Sequence, residues 1–455
     1  MPIDLLTLDS TTDPAIQKQV IAALAAASSS AWRAADQVLS QTVVRCDIDN
    51  ENVRYYILES IDPPFAKSTY AVLYLSRAYL IIKGQSVIKA SCATVIKELN
   101  SYSREGLKNI QRETLMTGLL LGETYCSKKS DTSYCVIMPM VPGLNLQQIA
   151  GNTQHELNVS LLPRLQLCIA ICLSLKAYHD NDFFHGDVKP DNIHEIGELV
   201  DFQFSGHRSE KVTGLYSPSH AAPEVLKGKP ISAAADVFAL GILLLQFWQD
   251  PLRLVNSPFT PTENFQAHDA DCVEQWHKEK PLPLAYGNVL TTQHFPETLR
   301  QHKNTMQTCI EQATAYKAEQ RCGINAVLEV LLSVYMTLNA QFTNQINQFV
   351  LTYVNHCLQL AINQLSLALS ANNLRPEQQN LLRGVREQLN ALQRSKAKTN
   401  DKLSGINSIF YKANFTALAS SPSAQNHYKV AEGIMIRIPN SLQAVKGFGY
   451  SNSNN

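Results

Sequence analysis

Residues 185–206, HGDVKPDNIHEIGELVDFQFSG, constrain this chain more than any other stretch. They set Asp187, Lys189 and Asn192 at a fixed spacing, then a short apolar hairpin, then Asp201 beside Phe202. Phosphoryl transfer needs this kind of set. One carboxylate orients an attacking hydroxyl and accepts its proton, while a cation neutralises charge on the moving phosphoryl. An amide and a second carboxylate supply hard oxygens to magnesium.

At 455 residues the chain has room for a large domain plus a smaller one, or for two domains. Its 39 basic and 39 acidic residues balance, so neither a nucleic acid nor an anionic membrane is an expected partner. Ten cysteines are scattered without a CxxC pair. Cys168 and Cys172, four apart in an apolar helical run, read as small buried hydrophobes, and the whole set as thiols of a reducing, cytoplasmic compartment. The start, MPIDLLTLDS, lacks the basic and apolar regions of a signal peptide. The longest apolar run, VFALGILLLQFW at 237–248, is too short to span a bilayer and reads as a core helix. No transmembrane segment is expected, and a soluble chain is.

Thr12 or Asp13 before Pro14 predicts a helix start, and the Ala-rich run that follows predicts a helix to about Ser40. From about Asn52 the pattern turns to β, in VRYYILESI, TYAVLYLSRAYLII and SVIKASCATVIKEL, with Gly84-Gln85 as a turn between the last two. A helix is predicted over 102–121 and another over 161–184. Beyond Asn339, apolar residues from Ile346 to Leu369 recur every three or four positions. The stripe resumes at Leu381 after a break in which Pro376 suits a first helical turn. These read as a helical hairpin that packs on the preceding domain or receives a partner. KVAEGIMIRIPNSLQAVKGF is expected to add a short strand and helix, and YSNSNN a tail.

The 185–206 stretch resembles the catalytic and metal-binding loops of protein kinases, and flanking motifs fall where that family puts them. AKSTYAVLY resembles the phosphate-covering loop, with Ala66, Ser68 and Ala71 at its glycine positions. Small residues there still permit close backbone approach to phosphates, without the positive-φ freedom of glycine. In the family hairpin the phosphate-gripping lysine lies across from the position of Leu73. A turn centred on Gly84-Gln85 puts Leu73 opposite Lys97. The rival, Lys89, requires a turn centred on Ile81 inside an apolar run, so Lys97 is preferred. Glu113, sixteen residues on, suits the partner glutamate on the following helix. YCVIMPMVPGLNLQQI resembles the fifth strand and hinge, with Met138 as the residue at the back of the adenine site and Val141 offering N–H and C=O to adenine. Pro139 falls where only a carbonyl is used. Ala222-Pro223-Glu224 closes the activation segment, with Arg321 as the partner of Glu224, and Asp236 would hold the catalytic loop backbone. Ser217-Pro218 stands where Ser/Thr kinases carry Thr-Pro.

The resemblance implies an α+β fold, the two-lobed protein kinase architecture: a small antiparallel β lobe with one key helix and a large helical lobe, plus extra N- and C-terminal helices. The expected division is 1–50 as a helical extension, 51–140 and 141–338 as the two lobes with an insertion at 252–301, and 339–455 as a C-terminal helical extension. On this resemblance Asp187 is the catalytic base and Lys189 contacts the γ-phosphate. Asn192 and Asp201 hold Mg2+, or Mn2+ in its place, and Lys97 with Glu113 secures the α- and β-phosphates of ATP. The implied activity is transfer of the γ-phosphoryl group to a Ser/Thr hydroxyl of a protein substrate. A pseudokinase scaffold and a small-molecule phosphotransferase of the aminoglycoside or choline kinase type are the alternatives. The second draws on His-Gly-Asp and is opposed by Lys189 and Ala-Pro-Glu.

Two letters depart from the family pattern. Gly186 replaces an arginine that pairs with activation-loop phosphate, which implies activity independent of phosphorylation at Thr213 or its neighbours. Gln203 replaces a glycine, which implies a loop less able to flip to an inactive form. The drift from the family pattern, the cysteines and the Asn/Gln-rich tail also resemble secreted effector kinases of intracellular bacteria. That likeness implies work in a host cytosol, with a host protein or small-molecule activator.

Overall fold

Alternating β-branched and aromatic residues between 42 and 139 build one antiparallel sheet. Its strands are β1 (Trp32–Ala34), β2 (Thr42–Asp47), β3 (Val53–Leu58), β4 (Ala66–Lys67), β5 (Ala71–Lys83), β6 (Ser86–Asn100), β7 (Tyr125–Lys128) and β8 (Ser133–Pro139). The order is β1-β2-β3-β5-β6-β8-β7, with β4 pairing off this path onto β5. The computed structural model describes residues 32–34, 42–47, 53–59, 64–67, 71–83, 86–101, 103–128, 131–152, 154–213, 217, 220–247, 302–339, 342–369, 374–395, 401–402, 405–406, 409 and 421–442. The helix start at 12–14, Ser68, the Gly84-Gln85 pair, Pro218, the 252–301 insertion and the terminal tail lie outside those residues. The chain divides into two compact units, Met1–Met140 and Val141–Asn455.

The expected N-terminal helix to Ser40 is corrected at 32–34, and the helical extension to residue 50 again at 42–47. Both segments are strands, and β2 pairs with β3 from Val43↔Ile57 to Asp47↔Val53. VVRC at 43–46 carries β-branched residues that a sheet accepts readily, and pairing to β1 and β3 outweighs the helical bias of the alanines before it.

The long β5–β6 hairpin pairs Lys83 with Ser86 and Leu73 with Lys97, the second as expected. A two-residue turn alone would bring Ile96, not Lys97, opposite Leu73. The register is restored by one extra residue in β6: Ser76 pairs with Thr94 but Ala78 with Ser91, so Cys92 and Ala93 together face Arg77. The bulge thus puts Lys97 opposite Leu73, and strand alternation points Lys97 and Ile96 to opposite faces of the sheet. On the face of Lys97, helix α1 (Arg104–Leu120) packs Ile110 against Ala71, Leu99, Val136 and Met138. Ser103 caps it by accepting from the Gly106 N–H at 3.0 Å. The other face buries Val44, Cys46, Tyr56, Leu58, Tyr74, Ile96, Cys135 and Ile137. There the sheet curls until β2 meets β7, where Ser127 Oγ donates to the Arg45 carbonyl at 2.6 Å.

The second unit is helical. α2 (Leu146–Ala150) starts with an Asn145/Gln148 capping box, and α3 (Glu156–Val159) leads into α4 (Leu161–His179). α4 is long and apolar enough to cross a membrane by composition, but its side chains are buried as the core of this unit. After it come β9 (Phe183–Phe184) and β10 (Gly206–His207), a two-residue ladder pairing Phe184 with Gly206. Next are α5 (Pro223–Leu226), α6 (Ala233–Phe247), α7 (Lys303–Ala313) and α8 (Ile324–Leu338). α9 (Phe342–Leu369), α10 (Pro376–Arg394) and α11 (Pro422–Ser441) follow. α11 corrects the strand expected within KVAEGIMIRIPNSLQAVKGF: one helix runs through that region to Ser441, burying Ala431, Ile434, Met435 and Ile438 at helical spacing. α9 packs on α4 and on both later helices, so the C-terminal hairpin completes the core of this unit.

Candidate active site

The β9–β10 ladder holds both ends of the 185–205 loop. Asp236, in the first turn of α6 and 1% exposed, fixes its start. Its Oδ2 accepts from the His185 N–H at 2.8 Å and from His179 Nε2 at 3.0 Å, and its Oδ1 accepts from the Gly186 N–H at 2.7 Å. Ser205 Oγ donates to the His185 carbonyl at 2.7 Å. His179 and Ser205 were not singled out from the sequence, because each acts only through a partner distant along the chain.

His185 is fully buried, and its tautomer follows from its partners. Nε2–H donates to the Val200 carbonyl at 3.1 Å, and Nδ1 accepts from the Asp187 N–H at 3.2 Å. Burial lowers its pKa below the ordinary histidine value. Its ring lies 5.0 Å from that of Phe202, which meets Tyr178 edge-on at 6.1 Å.

Asp187 is 4% exposed and sits at the centre of a network. Its Oδ2 accepts from Lys189 Nζ at 2.7 Å and from Asn192 Nδ2 at 2.9 Å, and Asn192 Nδ2 also reaches the Asp187 carbonyl at 3.0 Å. Lys189 Nζ continues to Ser217 Oγ at 2.8 Å. With its amide nitrogen committed to Asp187, Asn192 keeps Oδ1 as a hard, neutral oxygen. Asp201 supplies a carboxylate on a backbone at φ 65°, ψ 71°, a left-handed conformation that a non-glycine residue adopts at a cost. No cluster of three or more His, Cys, Asp or Glu suited to a metal occurs among the described residues. One amide oxygen and one carboxylate suit magnesium, which keeps waters and shares phosphate oxygens.

The two unusual letters now have local reasons. Gly186 has φ +83°, and a Cβ there would lie 2.5 Å from the Phe204 carbonyl oxygen. Glycine therefore relieves both strain and a backbone clash. Gln203 lies in the 3-10 turn Phe202–Phe204 and outside the positive-φ region, so its side chain costs the backbone nothing.

In the first unit, Lys97 Nζ and Glu113 Oε1 form an ion pair at 2.6 Å, with side chains 10% and 3% exposed. Sheet register and α1 bring together these partners from sixteen residues apart. The Lys89 side chain lies outside the described residues. Met138 and Ala71 are buried in the cluster under α1, Ala66 is exposed at the head of the β4–β5 hairpin opposite Leu73, and Val141 is buried at the start of the second unit. Glu224 and Arg321 join in a two-pronged pair at 2.7 and 2.6 Å, with the Arg321 guanidinium 4.9 Å over the Phe238 ring.

The protein kinase domain family matches residues 84–332, more than half of the chain. The chain is also similar to serine/threonine-protein kinase CLA4 of Saccharomyces cerevisiae, 29% identical over 143 residues, which cover 29% of this chain and 17% of that protein. It is similar to protein kinase C-like 1 of the same yeast, 26% identical over 208 residues, or 42% of this chain and 17% of that one. With human dual specificity tyrosine-phosphorylation-regulated kinase 4 it is 27% identical over 139 residues, 29% and 25% of the two chains. These matches span a quarter or less of each relative's length. The family's motifs, the buried Lys97–Glu113 pair and the network around Asp187 occur together in one sequence order, and the chain belongs to the protein kinase family.

Proposed function

We propose that the protein is an ATP- and Mg2+-dependent Ser/Thr protein kinase whose activity does not need a phosphate on its activation segment. The observation that carries the reading is the Asp187–Lys189–Ser217 connection, with Asn192 bonded to the same carboxylate. Asp187 orients the acceptor hydroxyl and takes its proton. Lys189, 21% exposed at its side chain, balances charge on the transferring group. Lys97 holds phosphate oxygens and is itself positioned by Glu113. Asn192 Oδ1 and Asp201 would hold Mg2+, which would supply further neutralisation of the developing charge. Gly186 carries no cation for an activation-segment phosphate, which supports the unphosphorylated working form.

The test is incubation with Mg2+, γ-labelled ATP and a generic basic protein, beside Asp187→Ala. Labelled protein that the variant fails to produce is the expected result. Label on small acceptors alone would assign a small-molecule phosphotransferase, and nucleotide binding without transfer a scaffold.

A further inference from the structure

The curled sheet of the first unit has a second face, remote in chemistry from the phosphate-binding set. Its interior is filled at one end by Val44, Leu58, Tyr74 and Cys135. At the other end a hollow with about 210 Å³ of usable space opens to solvent, bounded by Arg54, Tyr56, Tyr79, Cys92, Tyr125 and Ile137 among others. The mouth of a curled or closed sheet is a recurrent place for a small ligand. The β6 bulge contributes directly, since Cys92 and Ala93 both border the hollow.

Arg54 gives the hollow its chemistry. Its guanidinium lies 4.9 Å over the Tyr79 ring and 5.5 Å from the Tyr125 ring centroid, with the side chain 23% exposed. A guanidinium carries five N–H donors. Among the described residues its polar partners are the Tyr56 hydroxyl at 3.4 Å and the Glu123 carboxylate at 3.6 Å. The first is a long hydrogen bond and the second exceeds hydrogen-bond range. Glu123 is 63% exposed and also accepts the Tyr125 hydroxyl. Burial opposes the charge on Arg54, but the Tyr56 hydroxyl and the nearby oxygens of Tyr125 and Glu123 outweigh it and keep the group cationic. The hollow thus presents a fixed cation with most of its donors unmatched, beside flat apolar walls of Tyr79, Ile137 and Pro139.

We propose that this mouth binds a small planar anion, an aromatic ring bearing a carboxylate or phosphate, with the anionic group on Arg54 and the ring against Tyr79, Ile137 and Pro139. Glu123 is the gate residue that the ligand's anion displaces. The cation of this mouth is distinct from that of the nucleotide-binding set, because Lys97 projects from the opposite face of the sheet, although Met138 borders the hollow too.

The full-length protein is titrated calorimetrically with phenyl phosphate, benzoate and phenol. Saturable binding of at least one anion is expected, with phenol at least tenfold weaker and Arg54→Gln reducing affinity at least tenfold. Lys97→Met should leave that affinity unchanged. Failure of both anions to saturate, equal binding of phenol, or equal binding by Arg54→Gln would each overturn the proposal, and loss of binding in Lys97→Met would overturn the separation of sites. A second measurement needs no variant. Phenyl phosphate should slow alkylation of Cys92 by iodoacetamide at least threefold, with exposed Cys126 as the internal control; no protection of Cys92 counts against the site.

Discussion

Gly186 has two jobs that a single substitution separates. Its positive φ and the 2.5 Å approach to the Phe204 carbonyl leave no room for a side chain, so Gly186→Ala should cost about 1–3 kcal/mol of stability. Urea unfolding would read that loss. Thr213, exposed on the activation segment, should behave differently: Thr213→Ala should keep within about twofold of wild-type transfer in the labelled-ATP assay. Histidine protonation sets a third expectation. His185 has its pKa lowered by burial, so the unfolded chain binds a proton that the folded chain resists. Stability from this group is therefore present above the unfolded value near 6.5 and is lost as pH falls below it, at up to about 1.4 kcal/mol per pH unit. Protonation would also take Nδ1 from the Asp187 N–H, so acid should disturb catalytic-loop geometry as well. Denaturation midpoints between pH 7 and 5 would show the slope, and an unchanged midpoint would contradict it. At this scale the sequence is informative where interacting residues share one short segment, as with Asp187, Lys189 and Asn192, which form one hydrogen-bonded network. It was silent on Ser205 and His179, whose partners are set by the fold.

The β5–β6 hairpin shows what an element hides from sequence reading. Gly84-Gln85 signals where the strands separate, and the pairings of Lys83 with Ser86 and of Leu73 with Lys97 are both present, yet they fit together only through the bulge. No residue at 91–94 announces it, since small residues such as Ala93 are compatible with a regular strand as well. Deletion of Ala93 removes the extra residue and sets the turn register against the register of β6 on β8, where Lys97 faces Val136. One half of β6 must then turn its side chains to the wrong face. The deletion should leave the protein unable to bind an ATP analogue and largely insoluble, whereas Ala93→Ser at the same position should do neither. Strands β1 and β2 differ from the expected helix for a related reason. Strands of three and six residues carry less pattern than thirty residues of alanine-rich sequence before them, and only the β1–β2 and β2–β3 pairings decide their form.

For the whole molecule, the kinase likeness was legible because spacing among many motifs is a property of the chain, while the setting of the C-terminal helices was not. Apolar periodicity from Ile346 onward showed a buried stripe without saying what covers it. α9 answers with polar contacts as well as apolar ones. Tyr353 donates to Asp180 Oδ2 at 2.6 Å, which Lys176 also holds at 2.9 Å, and Ser174 and His356 are 3.1 Å apart. Tyr353→Phe should lower stability by about 1.5–3 kcal/mol, the range for a hydrogen bond to a charged group, and thermal melting would measure it. Ending the chain at Asn339 should be far more damaging, giving aggregated protein on size-exclusion chromatography. The same contact sets a timetable during synthesis. α4 leaves the ribosome about 190 residues before the end of α9, an interval of roughly 10–40 s at ordinary elongation rates. Throughout it an apolar helix of the core waits without one of its partners, so the protein should lean on chaperones at birth more than a kinase domain that ends with α8.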